Sequence, residues 1–134
     1  MPNTDEAIRP ILSHNIPIVW GDIAEGIEAV RAKAGIDDPE QIFRRLCRSE
    51  AFLFFVPEGF FILLPVYRQV PSVLVWVAYG KGTGLIGKYL PKIESLARDI
   101  GAQQVEIDSP RPGYRRLFKD WTRNGSHYIR RLPL

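Results

Sequence analysis

One cysteine, one methionine and two histidines in 134 residues leave little material for several kinds of chemistry. Cys47 alone forms no disulfide framework, and with His14 and His127 far apart in sequence it offers no Cys/His metal site. It falls in a segment of helical pattern, Pro39–Arg48, and reads as a packed side chain rather than a nucleophile. Long apolar runs are missing too: Ala51–Pro57 and Phe60–Val66 are far short of the ~20 residues that span a bilayer. Residues Met1 to Glu6 have neither the basic nor the apolar region of a secretory leader, so a cytoplasmic protein is expected. There is no low-complexity tract, linker or internal repeat.

What is present suits one globular domain over residues 1–134. Hydrophobic residues make up 46% and charged residues 25%, and a chain of this length buries about two-thirds of its unfolded surface. The net charge of +3 is unevenly spread. From Arg111 onward there are seven basic residues (Arg111, Arg115, Arg116, Lys119, Arg123, Arg130 and Arg131) against Asp120 alone, a local +6 that leaves −3 for residues 1–110. Such a segment is either the solvated face of a helix or a surface for an anionic partner.

Helical spacing of Ile23, Ile27, Val30 and Ala34 predicts a helix from Gly21 to Ala34, stopped by Gly35. Before it, Ile16-Pro17-Ile18-Val19 reads as a short first strand. Asp37 or Asp38 can cap a second helix, with Pro39 in its first turn and Ile42, Phe43, Leu46 and Cys47 on its apolar side. Three strands follow, Ala51–Val56, Phe60–Tyr67 and Ser72–Tyr79, joined by short turns and therefore antiparallel. They are apolar almost throughout, as in a sheet covered on both faces, and their aromatic residues belong to the core. After the glycine-rich Gly80–Gly84, a stripe of Ile86, Leu90, Ile93, Ala97 and Ile100 predicts a helix, kinked at Pro91. That crossover makes the next strand, Gln103–Asp108, parallel to Ser72–Tyr79. A last helix over Gly113–Arg123 and a strand over His127–Leu132 complete the pattern.

This order, from Gly21 to the C-terminus, resembles the GNAT superfamily of acyl-CoA-dependent N-acyltransferases. The fold implied is α/β: a GNAT-like mixed sheet, an antiparallel meander plus one parallel β-α-β crossover, with helices on both faces. In that superfamily a loop Gln/Arg-x-x-Gly-x-Gly/Ala opens the helix after the central strand and holds the coenzyme A pyrophosphate on its amides. The physics of such a site is that of any helix N-terminus, with orphan N–H groups and the positive end of the dipole facing an anion. Here Lys81-Gly82-Thr83-Gly84-Leu85-Ile86 is the best register, with Ile86 where Gly or Ala stands in the pattern. The alternative register, Tyr79 to Gly84, keeps Gly82 and Gly84 but loses the polar first residue. The resemblance thus implies acetyl-CoA as co-substrate, no metal, and Lys81, Gly82, Thr83, Gly84 and Arg111 as its binding residues. A tight turn that uses glycine only for shape is the other reading of the loop.

Superfamily members often use a Glu on the central strands as a base and a Tyr in the last helix as the acid for the departing thiolate. Ser72–Tyr79 carries no carboxylate, so Glu106, on the next strand and sharing a face with Asp108, is the candidate base. A solvated strand edge is the competing reading of that pair. At the tyrosine position stands Trp121, which is no acid; Tyr114 is the candidate and Tyr128 a further phenol. Arg111-Pro112-Gly113-Tyr114 also resembles the Arg-x-Gly-aromatic segment of small GNAT-like proteins encoded by bacteriophages. Three functions follow as expectations: an acyl-CoA-dependent N-acyltransferase acting on an amine, a catalytically degenerate binding or structural protein of a phage particle, and a nucleic-acid binder using the basic segment.

Overall fold

The three central strands form as their composition dictates: β2 (Phe52–Val56), β3 (Gly59–Tyr67) and β4 (Pro71–Gly80). The computed structural model describes residues 8–34, 38–80, 84–109 and 113–133. Flanking these strands are β1 (Arg9–Ile11), β5 (Gln104–Asp108), β6 (Thr122–Asn124) and β7 (His127–Arg131). Together they make one sheet in the order β1-β2-β3-β4-β5-β7-β6. Every neighbouring pair is antiparallel except β4 and β5, which are parallel.

Helices cover both faces, which is why the strands read as apolar on both sides. On one face lie α1 (Ile16–Ala34) and α2 (Pro39–Cys47). They bury Ile23, Ile27, Ile42 and Leu46 against Leu53, Ile62, Trp76 and Val77. On the other, α3 (Leu85–Asp99) presses Ile86, Tyr89, Ile93 and Ala97 onto Phe61, Val73, Val75, Val105 and Ile107. Fully burying one such side chain is worth about 1.5–3 kcal/mol. A short α4 (Gly113–Leu117) follows β5, and Phe118, Trp121 and Tyr128 close that core. Asp38 caps α2 by accepting from the Glu40 amide at 3.1 Å, with Pro39 beside it in the first turn. The main chain of α3 continues through Pro91 as one helix.

Two expectations fail. Ile16–Val19 is not a strand but the opening of α1, and the first strand is Arg9–Ile11. Ile16 belongs to the same buried stripe as Ile23 and Ile27, and Pro17 sits in the first turn, where a missing N–H costs nothing. The last helix ends at Leu117 rather than Arg123. Its apolar residues Phe118 and Trp121 remain buried, but Thr122–Asn124 pairs with His127–Tyr128–Ile129 as a hairpin. The hairpin turns through Gly125-Ser126, with Gly125 at φ 64°, a conformation that suits glycine at the first central position of a two-residue turn.

Candidate functional site

The parallel pair is short. β4 and β5 match from Ser72↔Gln104 to Val75↔Ile107 and no further, although β4 runs on to Gly80. At the same place β4 changes phase. Leu63 of β3 pairs with Val75 and Ile62 pairs with Val77, so Trp76 is an extra residue, a bulge. Val75 faces α3, whereas Val77 faces α1 and α2, as a one-residue insertion requires. Beyond Val75 β4 is no longer laddered to β5, which itself ends one residue after Ile107, at Asp108, and a gap lies beside the remaining edge of β4. The sequence hides this, because a strand apolar on both faces shows no change of pattern at a bulge.

A cavity of about 410 Å³ occupies the end of that gap. It is lined by Ala78, Tyr79 and Gly80 of β4, by Gly84, Leu85 and Ile86 at the start of α3, by Gly113, Tyr114 and Leu117 of α4, and by Lys33 of α1. Gly84 has φ 81° and supplies no side-chain cap to α3. The first intrahelical bond is Lys88 N–H to the Gly84 carbonyl at 2.9 Å, so the Leu85, Ile86 and Gly87 amides precede the helical ladder. The N-terminal amides and the positive dipole end of α3 thus border the cavity, an arrangement that favours an anion. Leu117 comes close to α3 at Gly87, where a Cβ would lie 3.3 Å from Leu117 Cδ1.

Beside this mouth a polar triad ties α3 to the turn between β2 and β3. Glu58 accepts from Tyr89 Oη at 2.6 Å and from Lys88 Nζ. These two donors, Lys88 first, hold the Glu58 carboxyl below its usual range. The same bond with Glu58 raises Lys88, while burial, reinforced by Glu58, raises the Tyr89 phenol. Tyr89 is buried, and its hydroxyl finds in Glu58 the partner that burial demands.

Among the sequence candidates, Gly84 and Tyr114 meet at this cavity. Lys81, Gly82, Thr83 and Arg111 lie outside the described residues. Glu106 sits on the sheet face opposite α3, and it is not at a solvated edge: its side chain is 0% exposed. It accepts from Arg68 Nε at 3.2 Å and Gln104 Nε2 at 3.4 Å, and lies 2.7 Å from His127 Nε2. Asp108, by contrast, is 58% exposed and accepts from Ser126 Oγ at 2.7 Å. Sequence reasoning missed Trp76, Arg68 and His127. The one available signal was the alternation of Gln104, Glu106 and Asp108 with the apolar Val105 and Ile107 along one strand. The basic residues Arg115, Arg116, Lys119 and Arg123 are exposed, and none of the four lines the cavity. Among the described residues no cluster of His, Cys, Asp or Glu suits a metal, and no helix is long and apolar enough to cross a membrane.

The sequence matches no family model and no curated protein. The fold, however, has clear counterparts among solved structures. An acetyltransferase from Thermus thermophilus superposes with a TM-score of 0.60 at 18% identity, over 93% of this chain and 96% of that one. The PaiA N-acetyltransferase from Thermoplasma acidophilum, in complex with coenzyme A, gives 0.53 at 15% identity over 91% and 94%. N-acetylglutamate synthase from Neisseria gonorrhoeae, complexed with coenzyme A and N-acetyl-glutamate, gives 0.60 at 16% identity. That match covers 95% of this chain but only 35% of the synthase. With the splayed parallel pair at its centre, the chain has the GNAT acetyltransferase fold.

Proposed function

We propose that the protein transfers an acyl group, acetyl first among them, from coenzyme A to an amine. The observation that carries this reading is the coincidence of the Trp76 bulge with the end of the β4–β5 ladder, beside a helix that opens without a side-chain cap. Past Val75, the edge of β4 that faced β5 is no longer laddered to it. A backbone amide on that edge is a fixed donor for the oxygen of a thioester carbonyl, which gains charge as an amine attacks it. The amides of Leu85, Ile86 and Gly87 suit the pyrophosphate of the same substrate. Glycine at position 84 leaves open space there, since nothing lies within 4 Å of where its Cβ would be.

Tyr114 is the acid of this mechanism. It lines the cavity from α4, and its phenol gives a proton to the departing thiolate. Holding the two reactants in the gap supplies much of the rate without a strong base, through proximity. The two fold counterparts that carry coenzyme A support this choice of co-substrate. Coenzyme A is anionic, and among the described residues the N-terminal amides of α3 beside the cavity are a feature that fits it.

The test is thermal. A ligand that binds only the folded chain raises its melting temperature, so acetyl-CoA is expected to shift wild-type protein upward and to leave Gly84→Glu unshifted. A flat wild-type curve at millimolar acetyl-CoA contradicts the proposal and leaves a non-enzymatic binding role on the same fold.

A further inference from the structure

The carboxylate of Glu106 is enclosed by three donors and has no surface open to a substrate. Two members of this cluster reach solvent: Arg68, 52% exposed, and His127, 25% exposed at the Asp108 end of β5. His127 opens β7 opposite Asp108, one residue past Ile107, the last residue at which β4 pairs with β5. It lies on the face away from α3, as Tyr128 beside it packs into the α3 core. Its ring leans over β5 toward Glu106, and β5 is the strand that borders the gap. β5, whose spacing to β7 is roughly 4.8 Å, separates His127 from the gap, so a proton passes between the ring and a nucleophile there through water.

We propose that His127 is the proton acceptor for the amine substrate, with Glu106 and Arg68 as the residues that position it. This rests on the acyl-transfer reading above. A contact of 2.7 Å between Nε2 and the Glu106 carboxylate fixes the ring with its proton on Nε2. In the neutral ring Nδ1 then carries the free lone pair. Asp108 Oδ2 lies 3.6 Å from Nδ1, too long for a hydrogen bond. Ser126 Oγ donates to the other Asp108 oxygen at 2.7 Å and holds that carboxylate beside the ring. Among the described residues the charged groups facing His127 are thus Glu106 and Asp108, with Arg68 balancing Glu106 from behind.

The step balances simply. An amine arrives as an ammonium ion, drawn by Asp108, and gives one proton to Nδ1. Its freed lone pair bonds to the thioester carbonyl carbon, and the carbon–sulfur bond breaks. The proton that Tyr114 gives to the thiolate is replaced by the second N–H proton lost as the amide forms. The imidazolium returns its proton to water, so that one proton is released per turnover.

Two nucleophiles test this with acetyl-CoA: ethylamine, which is protonated at neutral pH, and hydroxylamine, which is a free base there. His127→Gln keeps an N–H donor for Glu106 and so guards the fold, which its melting temperature checks. Expected is a loss of about 100-fold or more in kcat/KM with ethylamine, against a change within about threefold with hydroxylamine, which needs no general base. His127→Ala should show the same split, and added imidazole should restore part of its ethylamine activity. Glu106→Gln should lower the ethylamine rate less than His127→Gln does. Equal losses with both nucleophiles and no rescue by imidazole overturn the inference while acyl transfer stands. So does a His127→Gln protein as active as wild type with ethylamine. If wild-type protein acylates neither nucleophile, the acyl-transfer reading falls and the inference with it.

Discussion

Val75 and Ile107 are the last residues at which β4 and β5 run side by side, and Trp76, the next residue of β4, is the one inserted into the β3–β4 register. The two irregularities have one effect. A bulge adds twist and bends its strand, so β4 keeps β3 as a neighbour up to Gly80 while leaving β5 at Val75. The start of α3 borders the resulting gap on one sheet face, and the Glu106–His127 cluster lies on the opposite face of β5. In the proposed reaction the two faces would each admit one substrate.

Gly84 tests the helix opening. At φ 81° an L side chain is strained even though the space is free, so Gly84→Ala should lower stability by about 1 kcal/mol in urea unfolding. It should keep the shift that acetyl-CoA produces. Gly84→Glu places a negative charge against the helix dipole and should remove that shift. Equal behaviour of the two variants with acetyl-CoA would argue against an anion at this position.

The triad beside the cavity sets an acid limit. In the folded chain the Glu58 carboxyl is held below its usual 4.5, chiefly by Lys88 and then by Tyr89. A depressed folded value gives stability that is present above the unfolded value and fades as pH falls through the folded one. Wild-type protein should therefore lose stability on acidification below about pH 4.5 more steeply than Glu58→Gln. Parallel stability curves for the two proteins would show that the triad contributes nothing.

Glu106 and Asp108 share a strand face but not an environment. Glu106→Gln breaks a fully buried cluster and should cost about 2 kcal/mol or more. The half-exposed Arg68 softens the loss by turning to water. Asp108→Asn, at an exposed position, should stay within about 0.5 kcal/mol. Chemical denaturation of both variants decides the ranking.

The difference between these two carboxylates was not legible in sequence, because the partners of Glu106 come from far along the chain. Arg68 is 38 residues away and His127 is 21. Local elements were easier to read. The all-apolar β2, β3 and β4 announced a sheet covered on both faces, and the crossover through α3 made β5 parallel to β4. Where strand and helix patterns overlap, reading failed. Ile16–Val19 has β-branched residues yet continues the stripe of α1. Phe118 and Trp121 sit at helical spacing from Tyr114 yet pack beside a hairpin. Of the residues that line the cavity, Gly84 and Tyr114 stand out through the superfamily resemblance, whereas the Trp76 bulge left no trace in residue type.

The basic C-terminal surface is separable from the cavity. Arg115, Arg116 and Arg123 are exposed, and the α4 residues that face the cavity are Gly113, Tyr114 and Leu117. Replacing the three arginines with glutamine should leave coenzyme A affinity within about threefold at physiological salt, where exposed charges are screened beyond about 8 Å. A loss larger than that, measured by calorimetry, would mean that this surface lines the ligand.

Chemical-shift mapping of the backbone amides with coenzyme A tests the central claim most directly. The account predicts the largest changes along Trp76–Gly80, at Gly84, Leu85 and Ile86, and at Tyr114, with little change in α2 or β1. Changes confined to the basic surface of β6 and β7, or no saturable change at millimolar coenzyme A, would contradict it.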